Sequence, residues 1–337
     1  MESVLVSLLI DACIAGGIAF LLTFFLIPVL CWMSGKYQLV DIPDGVIKMH
    51  ERPIPNLGGL AVYAGFIIGC LSFIPYNNTW LESLLIGVTL LFIVGFADDR
   101  ICFTPAQKFF CQFIVALFFL RTGFYLKHLF FCRLITHSVS LLWILTVVNA
   151  FNLIDIMDGL ATTVAICVSL TLLAIALYIK ALTLVLLLAS FLGALIAFLW
   201  YNKPAACIYL GDAGALFIGG FLATLSFLFP WDAYNPYGYI VIPFIFFIPL
   251  CELVFLIIIR TYKKIPFYLP SPDHFCMYFL RKGWSKKTIL WYVCGISAFI
   301  FCTSILFFIQ AISLFKFSLF WFFLLCVWIR FLTTRTV

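Results

Sequence analysis

Residues 149–160 read NAFNLIDIMDGL and place Asn149, Asn152, Asp155 and Asp158 between two long apolar runs. Only 10% of the chain is charged, so four oxygen-bearing side chains this close together ask for a reason. On a helix Asn149, Asn152 and Asp155 stand at i, i+3 and i+6 and share a face. Asp158 follows after a turn. Carboxylate and amide oxygens suit Mg2+, which takes one or two protein carboxylates together with phosphate oxygens and water. The plainer alternative is capping at a tight turn, but a cap needs one such residue and not four.

Four further stretches carry chemistry of the same kind. GFADDR ends in the adjacent acids Asp98 and Asp99. Neighbouring carboxylates repel unless a cation or a proton intervenes, and at a helix C-terminus they also oppose the dipole. Lys108, ten residues after Asp98, either holds a phosphate or pairs with these acids. In YNKPAACIYLGDAGALFIGG, Asp212 is a helix cap or a metal ligand. In KMHERPIPNLGG, Lys48, His50 and Arg52 supply positive charge. The prolines there fix an extended path, and Gly58 and Gly59 open a helix whose free N–H groups favour an anion. An ordinary basic loop would look the same. The last stretch is the basic loop from Arg260 to Lys287, with His274 as its histidine. Phe275, Met277, Tyr278, Phe279 and Leu280 predict a short interfacial helix in it, and a polybasic patch on anionic lipid is the alternative.

The elements that must position these residues follow from composition. Hydrophobic residues make up 65% of the chain and mean hydropathy is +1.19, against about 45–50% apolar in soluble domains. Lipid is therefore the solvent. The apolar runs lack the alternation of a barrel strand, which predicts an all-α polytopic membrane protein. The 40 Phe suit lipid-facing helices, and the 13 Cys show no zinc spacing. Eleven spans are expected, at about 6–33, 58–75, 80–97, 106–121, 138–154, 157–178, 181–200, 213–230, 238–260, 288–309 and 313–332. They form one membrane domain over 1–337, with 261–287 as a loop within it. With the N-terminus outside, fifteen of the 20 Lys and Arg face the cytoplasm, as the positive-inside rule demands. All five polar stretches fall on that same face. The first run carries no signal-peptide charge pattern and reads as a retained helix. Asn77 opens an NNT sequon on the outer side.

Acids, amides and basic loops on one membrane face serve one chemistry most simply: Mg2+-assisted transfer between phosphates with one lipid-borne substrate. In this order, HERPIPNLGG, GFADDR, NAFNLIDIMDGL and YNKPAACIYLGDAGALFIGG resemble the polyprenyl-phosphate N-acetylhexosamine-1-phosphate transferase family, from about residue 36 to 287. The first motif resembles the branch that starts O-antigen or teichoic acid synthesis. The peptidoglycan branch usually carries a Thr-Pro-Thr version there. HFCMYFLRKGWS is similar to members that transfer unusual N-acetylated deoxysugars.

The resemblance implies a UDP–N-acetylhexosamine donor, undecaprenyl phosphate as acceptor, release of UMP, and Mg2+ as cofactor with Mn2+ as the substitute. It implies a bacterial inner membrane location, a cytoplasmic active site and no nucleic-acid partner; a homodimer is compatible with it. By motif position Asp98 is the base or orienter of the lipid phosphate and Asp99 sits beside the metal. Asn152 and Asp212 are metal ligands, and Lys108 holds phosphate. Asn149, Asp155 and Asp158 line the nucleotide and sugar site. Lys48 and His50 belong to the entry loop, and His274 to the loop that helps choose the sugar. The chain departs from the pattern at Ile156, where the family has Gly, and at Ala215, where it has Ser. It departs again at Phe275, Cys276 and Met277, where many members continue a histidine run. Rival readings are an inactive relative that binds the lipid carrier, a synthase of the first peptidoglycan lipid, and a transporter. A transporter would use acids deep in the spans; Asp11 and Glu252 are the only such acids and are expected to lack a paired cation.

Overall fold

The computed structural model describes residues 2–37, 40–41, 53–73, 79–127, 132–266, 268–269 and 271–333. Lys48, His50, Arg52 and Asn77 lie outside the described residues. The helices run in chain order as α1 (Glu2–Tyr37), α2 (Gly58–Leu71), α3 (Thr79–Ile101), α4 (Pro105–Arg121), α5 (Arg133–Ile154), α6 (Leu160–Tyr178) and α7 (Leu182–Asn202). They continue as α8 (Gly211–Leu225), α9 (Trp231–Tyr234), α10 (Val241–Ile245), α11 (Phe247–Tyr262), α12 (Phe275–Arg281), α13 (Lys286–Phe308) and α14 (Leu314–Thr333). A two-residue ribbon pairs Val40–Asp41 with Ile54–Pro55, antiparallel. The chain is an all-α polytopic membrane protein.

Each of the eleven expected stretches is helical, but not all of them qualify as membrane spans. Among the described residues seven helices are long and apolar enough to cross a membrane alone; α2, at 14 residues, and α4, at 17, are short, and α14 is not one of the seven. The ninth span is broken, because α10 and α11 meet at a 66° bend. Pro249 has no N–H for the Ile245 carbonyl, so the helix cannot run straight through that turn.

The buried centre is α8, packed against α2, α3 and α5. Its core corrects the expectation that Phe faces lipid. Phe66, Phe191, Phe217 and Phe221 are fully buried and meet one another at ring-centroid distances of 4.4–6.4 Å. Lipid tails are as apolar as Leu, so helix association in a bilayer depends on close fit rather than on burial itself. Large rigid rings in edge contact supply that fit. Exposed Phe25, Trp32, Trp291, Phe315 and Phe322 form the outer surface.

Two caps fix where the site residues start. Thr104 and Gln107 form a reciprocal capping box with Pro105 at the first helical position of α4, which places Lys108 in the first turn. Ser285 Oγ accepts from Thr288 N at 3.1 Å and places Lys286 at the start of α13.

Candidate active site

Asp99 sits in the last turn of α3 and caps a different helix. Its Oδ1 accepts from Asp212 N and its Oδ2 from Ala213 N, each at 3.0 Å; Asn56 Nδ2 donates to Oδ1 at 3.0 Å. These backbone groups open α8, so the carboxylate that is misplaced at the C-terminus of α3 is well placed at the N-terminus of α8. The contact needs Gly211, whose φ is +73° and whose Cβ would lie 2.4 Å from Asn56 Oδ1 and 2.8 Å from Asp99 Oδ2. Asp212 is therefore not the cap of α8. Its side chain turns to α4 and α5.

There it meets Lys108, which pairs with acids, the second of the two roles its spacing allowed. Lys108 Nζ lies 2.9 Å from Asp98 Oδ2 and 2.7 Å from Asp212 Oδ2, and donates to Asn152 Oδ1 at 3.1 Å. Asn152 Nδ2 donates to Asp212 Oδ1 at 2.5 Å. Asp98, 8% exposed, also accepts from Phe103 N at 2.8 Å. Four helices thus converge on one ammonium. Asn149 shares the face but donates to Gln112 Oε1 at 2.7 Å, one turn further into α4.

The turn joining α5 to α6 spans 155–159 and is pinned from three sides. Asp158 Oδ2 accepts from Lys286 Nζ at 2.8 Å and from Ala206 N at 3.4 Å. Gly159, with φ +74°, donates its N–H to Asn202 Oδ1 at 3.0 Å. Thr162 Oγ1 donates to the same oxygen at 3.2 Å, and Asn202 Nδ2 donates to the Ile208 carbonyl at 2.9 Å. Burial first, then the charges of Asp212, Asp99 and Asp158, pushes the Asp155 carboxyl up to about 8.

A carboxyl that is ordinarily near 3.9 and near 8 when folded binds its proton more tightly in the native state. Its contribution to stability is whole below about pH 4 and is lost as pH rises through about 8. Asp155→Asn removes the proton demand. Without divalent metal, its melting temperature should exceed that of the wild type most at pH 8.5 and least at pH 5. A gap that does not change with pH would contradict this assignment.

The loop after α11 differs from expectation. His274 is 4% exposed, and its Nδ1 lies 2.8 Å from Glu252 Oε1. Glu252 thus has a hydrogen-bonding partner in the His274 ring, which the sequence did not suggest. The short helix forms as expected, as α12. Phe275 packs on Trp328, and Phe279 on Trp284 and Tyr292, so these rings are buried against the protein's own aromatic side chains. The N–H groups of Gly58 and Gly59 are also not free for an anion: they donate to the Tyr209 and Leu210 carbonyls at 2.9 and 2.8 Å.

Sequence reasoning gave no role at the site to Asn56, Gln112, Asn202 or Lys286, and named Glu252 only as an acid deep in a span. Asn56 could have been found, as an amide just ahead of a Gly-Gly helix start. Gln112 stands one turn after Lys108 on a helix. The other three act on partners more than 20 residues away.

An all-helical membrane protein with a carboxylate, amide and lysine cluster closed by loops at one end defines the class. The glycosyl transferase family 4 model matches residues 81–229. A probable undecaprenyl-phosphate N-acetylglucosaminyl 1-phosphate transferase of Bacillus subtilis (strain 168) is 32% identical over 276 residues, covering 77% of this chain and 75% of the relative. An undecaprenyl-phosphate alpha-N-acetylglucosaminyl 1-phosphate transferase of Thermotoga maritima is 29% identical over 271 residues, 80% of this chain and 82% of that one. A phospho-N-acetylmuramoyl-pentapeptide-transferase of Campylobacter jejuni is 27% identical over 315 residues, 81% and 87% respectively. The chain belongs to glycosyl transferase family 4.

Proposed function

We propose that this protein transfers N-acetylhexosamine-1-phosphate from a UDP-sugar to undecaprenyl phosphate, releasing UMP and starting a cell-surface polysaccharide. The observation that carries the reading is the convergence of Asp98, Asp212 and Asn152 on Lys108, with Asp99 ordering the start of α8 beside them. Family membership and the names of the relatives support the same class of substrates. The active site is the cytoplasmic end of one transferase domain in the bacterial inner membrane, with 261–287 as its selecting loop.

The donor chemistry fits a hard divalent cation, Mg2+ or Mn2+. Carboxylate and amide oxygens from Asp98, Asp212 and Asn152 already gather within 3.1 Å of one positive charge. Among the described residues no three acidic, histidine or cysteine side chains form an ion cage unaided, so phosphate and water would have to complete the coordination. Asp212 and Asn152 would hold it, with Asp99 alongside. When bound it would neutralise charge developing on the transferred phosphate.

The protein's own residues orient and exclude. Asp98 is tied to Lys108 and Phe103 N, which makes it an orienter rather than a strong base. None is required, since a lipid phosphate with a second pKa of about 6 is mostly ionised at pH 7. Asp99 accepts three N–H bonds and is a poor nucleophile, which favours direct attack over an aspartyl-phosphate. Asn149, Asp155 and Asp158 line the nucleotide and sugar side, and Asp158 is held there by Lys286.

The test is UMP release by purified protein with undecaprenyl phosphate and a panel of UDP–N-acetylhexosamines, including the N-acetylmuramoyl-pentapeptide donor. Release that requires the lipid, stops with EDTA and returns with Mg2+ is the expected outcome, and the best donor names the sugar. No UMP from any donor would favour the inactive relative.

A further inference from the structure

One buried ionisable pair stands apart from the Lys108 cluster. Glu252 lies in α11 at 2% exposure and His274 enters α12 at 4%. Their contact is 2.8 Å between Oε1 and Nδ1, and Phe275 N donates to both Glu252 oxygens at 3.3 Å. An acid within a span is costly and is kept for what it binds. A carboxylate facing one ring nitrogen decides which nitrogen carries the proton and how the ring is turned. With Nδ1–H donating to Glu252, Nε2 is the nitrogen left to face another group. The rest of the loop is fastened on either side. Arg260 Nε donates to Ser271 Oγ at 2.9 Å, Lys263 pairs with Asp273, and Arg281 donates to the Pro272 carbonyl at 2.6 Å.

We propose that Glu252 is a positioning residue for His274, setting its ring orientation and proton so that Nε2 serves the sugar-phosphate donor. This rests on the transferase reading given above. Glu252 does not touch substrate in this scheme; it acts through the imidazole and through the α12 backbone.

Two measurements test it. The chain has 4 His, so histidine-labelled protein gives a small set of ring signals, and His274→Gln assigns the one that matters. The wild type should show an Nδ1-bound proton at low field, typical of an N–H bonded to carboxylate, and Glu252→Gln, close in volume, should shift it. Identical ring signals in both proteins would overturn the proposal without reference to activity. In donor kinetics, Glu252→Gln and His274→Gln should each lower kcat/KM for the nucleotide sugar by about 10- to 100-fold, with the KM for the lipid acceptor unchanged. The double variant should be no worse than His274→Gln alone. Losses that multiply would show that the two residues act independently, against the proposal. If the wild type turns over no donor, the transferase reading fails while the ring signals still decide the pairing.

Discussion

Lys108→Met should lower UMP release by about 10²–10³-fold, the scale for removing one preorganised charge from a transferring group. The ammonium touches Asp98, Asp212 and Asn152, so its removal strands two acids around one gap. Loss of one partner of a buried ion pair costs about 3–5 kcal/mol, and the lower end applies because Lys108 keeps 16% exposure and Asp212 32%. A divalent cation can supply the missing charge. Added Mg2+ should therefore raise the melting temperature of Lys108→Met more than that of the wild type. Rates and melting curves with and without Mg2+ check both parts. A variant that keeps its full rate would remove this cluster from the active site.

Gly95→Ala should act on the same cluster through the backbone. A Cβ at residue 95 would lie 2.3 Å from the Asp212 carbonyl oxygen and 2.6 Å from Ala213 N. Both are backbone atoms at the start of α8, so neither side can yield by changing a rotamer. Overpacking of this kind costs about 1–3 kcal/mol. The displaced α8 also pulls its N–H groups from Asp99 and shifts Asp212, and a shift of about 1 Å in a reacting constellation costs about 10²-fold in rate. Gly295→Ala is the control, since nothing lies within 4 Å of its Cβ. Equal rates for Gly95→Ala and the control would sink the argument.

The helices were legible because apolar length is a local property of the chain: each of the eleven expected stretches is helical, although among the described residues only seven helices, or eight spans with the bent pair counted as one, are long and apolar enough to cross a membrane. The acids and amides were legible for a related reason: polar residues at the edge of so greasy a chain stand out. Their partners were harder to read. Spacing shows that Lys108 can reach Asp98, but not that Asp212, 104 residues away, completes the set. A cap that comes from another helix has no signature near the helix it caps, so Asp99 was read as a metal neighbour and Asp212 as the cap or a ligand. Glu252 and His274 were each singled out, yet nothing in the sequence joins them. The Phe core was misread because composition says how much apolar surface exists but not which neighbour covers it.

Asn202 fastens the 155–159 turn to the 203–210 segment mainly by main-chain atoms, the Gly159 N–H and the Ile208 carbonyl. Such a fastening does not ask which side chains those segments carry. Residues in the turn can therefore diverge while the path of the chain stays constant. Ile156, where the motif resemblance implies Gly, is a substitution of this type. Diversification of what the site selects and preservation of its geometry thus rest on different atoms of the same few residues.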